Sequence, residues 1–221
     1  VVDGSTFVAL PLYIWSFGID FTGLGLLFAA YSLFLAVAQM IIGAHSDIVG
    51  RKKWLVSSLS LKGVAVLAIF NATTLNSMFG IDPILTIIVF SLLSSFALAI
   101  YGAVIYPIIT ERSTEEERGK KFGNMAFCHF IGQALGYFTV GWVISYLGYH
   151  YFAIFGCGLL ICGSMLIAIT LSELKEKKER GEKNGKISFR GITADAKILC
   201  TFFLLAMVFY SALPTFIVVY S

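Results

Sequence analysis

The sequence predicts an all-α membrane protein: a six-helix transmembrane bundle, followed by the first helix of a second bundle. Three observations lead there. The 221-residue chain is 58% hydrophobic and only 13% charged, with a mean hydropathy of +0.86, more apolar surface than a water-soluble domain needs. Uncharged runs recur at the length, about 20 helical residues, that crosses a hydrocarbon core of roughly 30 Å. Of the 16 Lys and Arg, 15 fall in every second connection between those runs.

The runs give the elements in order. Phe21 to Ser46, Pro83 to Thr110, Phe122 to Leu171 and Ile198 to Ser221 contain no Asp, Glu, Lys or Arg. The first span, about 1–18, is short and opens without a methionine, and the last ends without a tail, so the chain reads as truncated at both ends. The second span covers 22–45. The third, 54–75, carries a single lysine, and the fourth covers 83–110. The run from Phe122 to Leu171 is too long for one crossing. In its middle "SYLGYHYFAIFG" supplies interface-type aromatics and a glycine turn, so it divides into a fifth span, 122–146, and a sixth, 150–171. A seventh runs over 197–220. The organisation is therefore a bundle over 1–172, a charged linker over 173–196 and the start of a second bundle over 197–221. Cys128, Cys157, Cys162 and Cys200 all fall inside these helices without metal-type spacing, and read as small packing residues.

Charge sets the orientation. Arg51, Lys52 and Lys53, then Arg112, Arg118, Lys120 and Lys121, then eight residues between Lys175 and Lys197 occupy alternate connections, while those near Gly18, Asn71–Asp82 and Gly148 hold none. The positive-inside rule makes the basic connections, between spans 2 and 3, 4 and 5, and 6 and 7, cytoplasmic in a multi-pass protein of the cell membrane. The run "KEKKERGEKNGK" mixes signs between two spans, which marks a solvated linker rather than a nucleic-acid patch. "NAT" at Asn71 is a glycosylation sequon on the outer side, set against the membrane. Ala9 to Ser16, "ALPLYIWS", returns near the end as "ALPTFIVVYS", Ala212 to Ser221, which makes the seventh helix a restart of the first. Parallel six-helix repeats are a recurring transporter design, so the intact protein is expected to hold twelve helices.

Between spans 2 and 3, "GAHSDIVGRKKW" places Gly43, Asp47, Gly50, Arg51 and Lys52 in the pattern Gly-x-x-x-Asp-x-x-Gly-Arg-(Arg/Lys). After span 4, "ERSTEEERG" sets Glu111 seven positions before Arg118 and Gly119. With these motifs and this number of spans, the chain resembles the amino-terminal half of a major facilitator superfamily transporter. The resemblance implies alternating access, with Asp47, Arg51, Glu111 and Arg118 as a cytoplasmic charge network that holds the outward-open state. The residue chemistry agrees: glycines at 43 and 50 permit close helix approach and a tight turn, and Asp47 can pair with Arg51 or accept from helix-terminal N–H groups. Three positions depart from the family pattern. Ile48 stands where a basic residue is common, the fourth span has no buried arginine, and Tyr137 follows Gly136 where drug antiporters commonly carry proline.

Ionisable groups inside a span are costly and mark function by default. Asp3 lies about 15 residues, roughly 20 Å, from the outer end of the first span, near the midplane. The resemblance has this helix line the central cavity, which makes Asp3 the leading proton or cation site; the other reading is a carboxyl buried against a neighbouring helix. His129 in the fifth span is a second candidate for proton exchange or for donation to substrate, with a satisfied structural histidine as the alternative. Lys62 lies roughly 12 Å from the cytoplasmic end of the third span, within reach of snorkelling to that surface. Gln39, Tyr101, Gln133 and Tyr137 offer uncharged hydrogen bonds to a substrate or between helices. Gly132 and Gly136 form a small-xxx-small pair suited to close packing. No phosphate-binding loop, metal cluster or nucleophile motif is present in the sequence. The expectation is a secondary transporter and not an enzyme, needing no cofactor or metal and working as a monomer. It would move a small-molecule substrate by alternating access, coupled to protons or another ion. Proton-driven efflux of an organic compound, as in multidrug efflux, comes first; a metabolite or sugar symporter or uniporter comes second, and a non-transporting receptor or scaffold of the same fold third.

Overall fold

The computed structural model describes residues 2–171, with the side chains at 44 and 47–49 outside the description. The charged linker, the seventh span with its repeat of the first, and Cys200 all lie outside the described residues. Six helices follow one another: α1 (Val2–Trp15), α2 (Phe21–Val49), α3 (Arg51–Phe70), α4 (Ala72–Phe79), α5 (Pro83–Glu111) and α6 (Glu115–Thr170). There is no strand among the described residues. α2, α3, α5 and α6 are each long and apolar enough to cross a membrane, and the chain is a multi-pass membrane protein.

The helices begin where the sequence supplies caps for their orphan N–H groups. Asp20 accepts from the Gly23 amide at 2.9 Å. Asp82 accepts from Ile84 at 2.7 Å, with Pro83 opening α5, where its missing N–H costs nothing. Thr114 caps α6 ahead of three glutamates, which suit the positive end of the helix dipole. α2 gives way to α3 at Gly50, whose φ of 97° is closed to most side chains.

α6 spans 56 residues, yet Gly148 at φ 81° and ψ 173° breaks it into two arms. An unbroken helix of that length would extend about 84 Å. Instead Val140 and Phe152 share one apolar cluster, and His129 and Leu160 line one cavity, so the arms double back as the fifth and sixth spans of the sequence reading. α3 is central and packs against α5 and α6, while α2 lies on α5 and α1 on α6. One core cluster, around Tyr13, Ile14, Val66, Phe70 and Ile87, fills the end near Gly148. A second, around Ala38, Leu55, Ile100 and Val104, fills the end near Gly50.

Two expectations are corrected here. The third span does not run over 54–75: α3 starts at Arg51 and ends at Phe70, and the short α4 follows. Asn71 makes the break. Its backbone leaves the helical region at φ −113° and ψ 21°, and its side-chain amide donates to the Leu67 carbonyl at 2.7 Å. The cysteines are not uniformly packing residues either. Cys157 is buried, but Cys128 and Cys162 are exposed, Cys128 on the wall of the cavity among α1, α3, α5 and α6.

Candidate functional site

A cavity of about 200 Å³ opens among α1, α3, α5 and α6. Six residues singled out in the sequence meet there: the polar Asp3, Lys62, Tyr101 and His129, with Cys128 and Gly132 beside them. Asp3 stands in the first turn of α1. The Lys62 ammonium, on the face of α3 turned inward, donates to Asp3 Oδ1 and forms an ion pair with it. The Lys62 side chain is 8% exposed and that of Asp3 44%, so the ammonium is fixed in the wall and the carboxylate faces the open space. Leu59, Ala97, Leu98 and Leu160 complete apolar walls. Such surroundings strengthen the pair and penalise any change that leaves one member alone.

This geometry alters two readings. Lys62 does not snorkel towards the basic end of the bundle, because its ammonium pairs with the Asp3 carboxylate. Asp3, for its part, is compensated and is not a solitary charge.

A second charged site lies at the basic end. Arg51 opens α3 and Glu111 closes α5, and their side chains pair at 2.5 Å, clasping the α2–α3 turn to the α5–α6 connection. Lys121 donates to the Arg112 carbonyl at 2.8 Å and pairs with Glu117 at 3.0 Å. Arg118 is half-buried on α6, and its Nε has no hydrogen-bond partner among the described residues. The backbone of Asp47 lies in the last turn of α2, but its side chain is outside the description. Lys52 is half-buried in the first turn of α3. Gly43 does not serve a close helix approach among the described residues, since a Cβ placed on it would meet nothing within 4 Å.

A sequence model of the Major Facilitator Superfamily matches residues 1–221. The chain belongs to the major facilitator superfamily. It is thus a secondary transporter chain with a small-molecule substrate, and superfamily members are in general not enzymes. No significant match was found among curated proteins or solved structures.

The remaining candidates in this superfamily chain are dispersed. Gln39 on α2 packs its amide against Gly102 of α5, where a Cβ would collide with the amide nitrogen. Gln133 contributes backbone: a Cβ on Gly4 would lie 2.7 Å from the Gln133 carbonyl oxygen, so Gly4 is what lets α1 press against α6. Gly136 is buried, whereas Tyr137 is exposed on α6 and does not line the cavity.

The sequence reading missed the clasp at the other end. His150 of α6 bonds through Nδ1 to the Asn71 side-chain oxygen. Beside it Tyr13, Phe70, Tyr149 and Phe152 form an aromatic cluster, with Phe70 and Tyr149 stacked at 5.9 Å and Phe70 edge-on to Phe152 at 5.1 Å. The visible signal was a polar Asn and His at span ends among aromatics, which reads equally well as interface composition.

Proposed function

We propose that the chain forms the amino-terminal bundle of a proton-coupled secondary transporter for a small organic solute, with the α1/α3/α5/α6 cavity holding both the proton site and part of the solute site. The observation that carries this reading is the Asp3–Lys62 pair at the cavity wall, a titratable group inside the bilayer region with its carboxylate accessible. Intramembrane ionisable residues facing a cavity mark ion or substrate pathways. The basic connections face the cytoplasm of a cell membrane, and the Arg51–Glu111 clasp belongs to a cytoplasmic gate with Asp47 and Arg118, helped by Gly50 and Lys52.

Proton-driven efflux, the first expectation from sequence, is less well supported than symport. Antiport of a cationic compound calls for a carboxylate at which proton and solute compete, and here Lys62 already occupies that role. Symport needs a proton and a solute that favour each other, which an ion pair able to part supports.

The test uses the full-length protein in proteoliposomes with a trapped pH-sensitive dye. A proton-coupled symporter acidifies the lumen when solute is added outside with no imposed gradient, and accumulates solute when the outside is made acidic. Solute accumulation indifferent to the pH gradient contradicts the reading, and no solute flux of any kind favours a non-transporting receptor.

A further inference from the structure

The cavity's charges constrain what can enter it. Asp3 and Lys62 sum to zero, and an ionised group left alone in the membrane interior is penalised by several kcal/mol. A cation bound to Asp3 would bring the net charge to +1, and an anion bound to Lys62 would bring it to −1. Neutrality survives if an anion arrives together with a proton. The geometry points to that exchange: we infer that the cavity binds an organic monoanion, a carboxylate or its equivalent, at the Lys62 ammonium, together with one proton on Asp3. This rests on the reading of the cavity as the solute and proton site.

Which partner moves follows from exposure. The Lys62 side chain is 8% exposed and that of Asp3 44%, so Asp3 is the member with room to swing away while the ammonium stays. As it leaves, a proton from solution bonds to its carboxylate oxygen, and the ligand's anionic oxygen takes its place on the ammonium. No other bond is made or broken. The groups around the pair suit an anion. Lys62 comes from α3, Tyr101 from α5, and His129 and Cys128 from the first arm of α6. Tyr101 and His129 line the same cavity with side chains able to donate, and Asp3 is the one carboxylate among its described lining residues. Because a protonated Asp3 releases Lys62 and a bound anion does the same for Asp3, proton and anion each raise the other's affinity by the same factor.

Three probes of one shape separate the charge types: benzoate, benzylammonium and the zwitterion 4-(aminomethyl)benzoate. Binding to purified full-length protein is followed calorimetrically in buffers of different ionisation enthalpy, which counts protons taken up. Benzoate is expected to bind with uptake of one proton, and its affinity to rise about tenfold for each pH unit lowered while Asp3 is ionised. In Asp3→Asn the proton uptake should vanish while benzoate still binds, and in Lys62→Met benzoate binding should be lost. His129→Gln should keep the proton count. Preference for benzylammonium or the zwitterion, no binding of any probe, binding without proton uptake, or loss of uptake in His129→Gln rather than in Asp3→Asn each overturns the inference. Should proton-driven solute flux persist in proteoliposomes while these binding results fail, the substrate class is wrong and the proton-coupled reading stands.

Discussion

Removing one member of the Asp3–Lys62 pair should destabilise the bundle unequally, and the inequality can be worked from exposure. Asp3→Asn leaves the Lys62 ammonium, 8% exposed, without its carboxylate. Breaking a buried pair from one side costs about 3 to 5 kcal/mol. Shedding the lysine's proton offers no cheaper route, since at pH 7 it costs about 4.6 kcal/mol from an ordinary value near 10.4. Lys62→Met leaves a carboxylate that is 44% exposed. Partial hydration reduces its cost to about 1 to 2 kcal/mol. The double variant Asp3→Asn/Lys62→Met leaves no charge, so it should be more stable than Asp3→Asn alone, with a coupling energy of at least about 2 kcal/mol between the sites. The assay is reversible unfolding of the full-length protein in bicelles, taken around the four-corner cycle. Single effects that add to within about 0.5 kcal/mol, or a larger loss in Lys62→Met than in Asp3→Asn, would refute the argument.

Three further outcomes are expected. The sequon at Asn71 should stay unmodified in a glycosylating host, because the side chain is buried and engaged with Leu67 and His150; a glycan-dependent mobility shift that disappears in Thr73→Ala would show otherwise. Cysteine at Ser77, exposed on α4, should react with an impermeant thiol reagent outside intact cells and cysteine at Asn184 should not, and the opposite pattern would reverse the proposed orientation. Arg51→Glu and Glu111→Arg should each impair transport and raise the reactivity of a cysteine at Gly123, while the charge-swapped double variant recovers at least about tenfold, the worth of a charge-assisted contact of roughly 1.5 kcal/mol. Equal impairment in the double variant would mean that the pair does not close the gate.

The fold was largely legible because a bilayer imposes a length and forbids unpaired charge, so uncharged runs and basic loops suffice to place helices. The glycine break at 148 and the caps at Asp20, Asp82 and Thr114 follow from local chemistry that the chain states openly. The end of α3 was not read, since Asn71, which leaves the helical region there and donates to the Leu67 carbonyl, sits inside a run apolar enough to continue the span. The ion pair was half-legible. Asp3 and Lys62 are lone, opposite charges within otherwise uncharged segments, and the rule that each intramembrane charge needs a partner joins them. Depth counted along each helix sets the two nearly level, since roughly 20 Å from the outer side and roughly 12 Å from the cytoplasmic side together span about the 30 Å core; which helix faces meet was what the sequence did not state. Close approaches such as Gly4 on Gln133 depend on which helix faces come together, and the unbroken hydrophobicity of these spans leaves no periodic stripe to read.

The central claim is that Asp3 carries the proton that drives transport, and the most direct test compares gradient-driven accumulation with solute exchange in Asp3→Asn proteoliposomes, normalised to folded protein. Asparagine imitates the protonated carboxyl and cannot release a proton, so the solute site should still fill and trade one solute for another while net movement driven by a pH gradient stops. Exchange near the wild-type rate with driven accumulation abolished is the expected result. Driven accumulation that persists at the wild-type rate would contradict the account and leave Asp3 as one side of a structural pair.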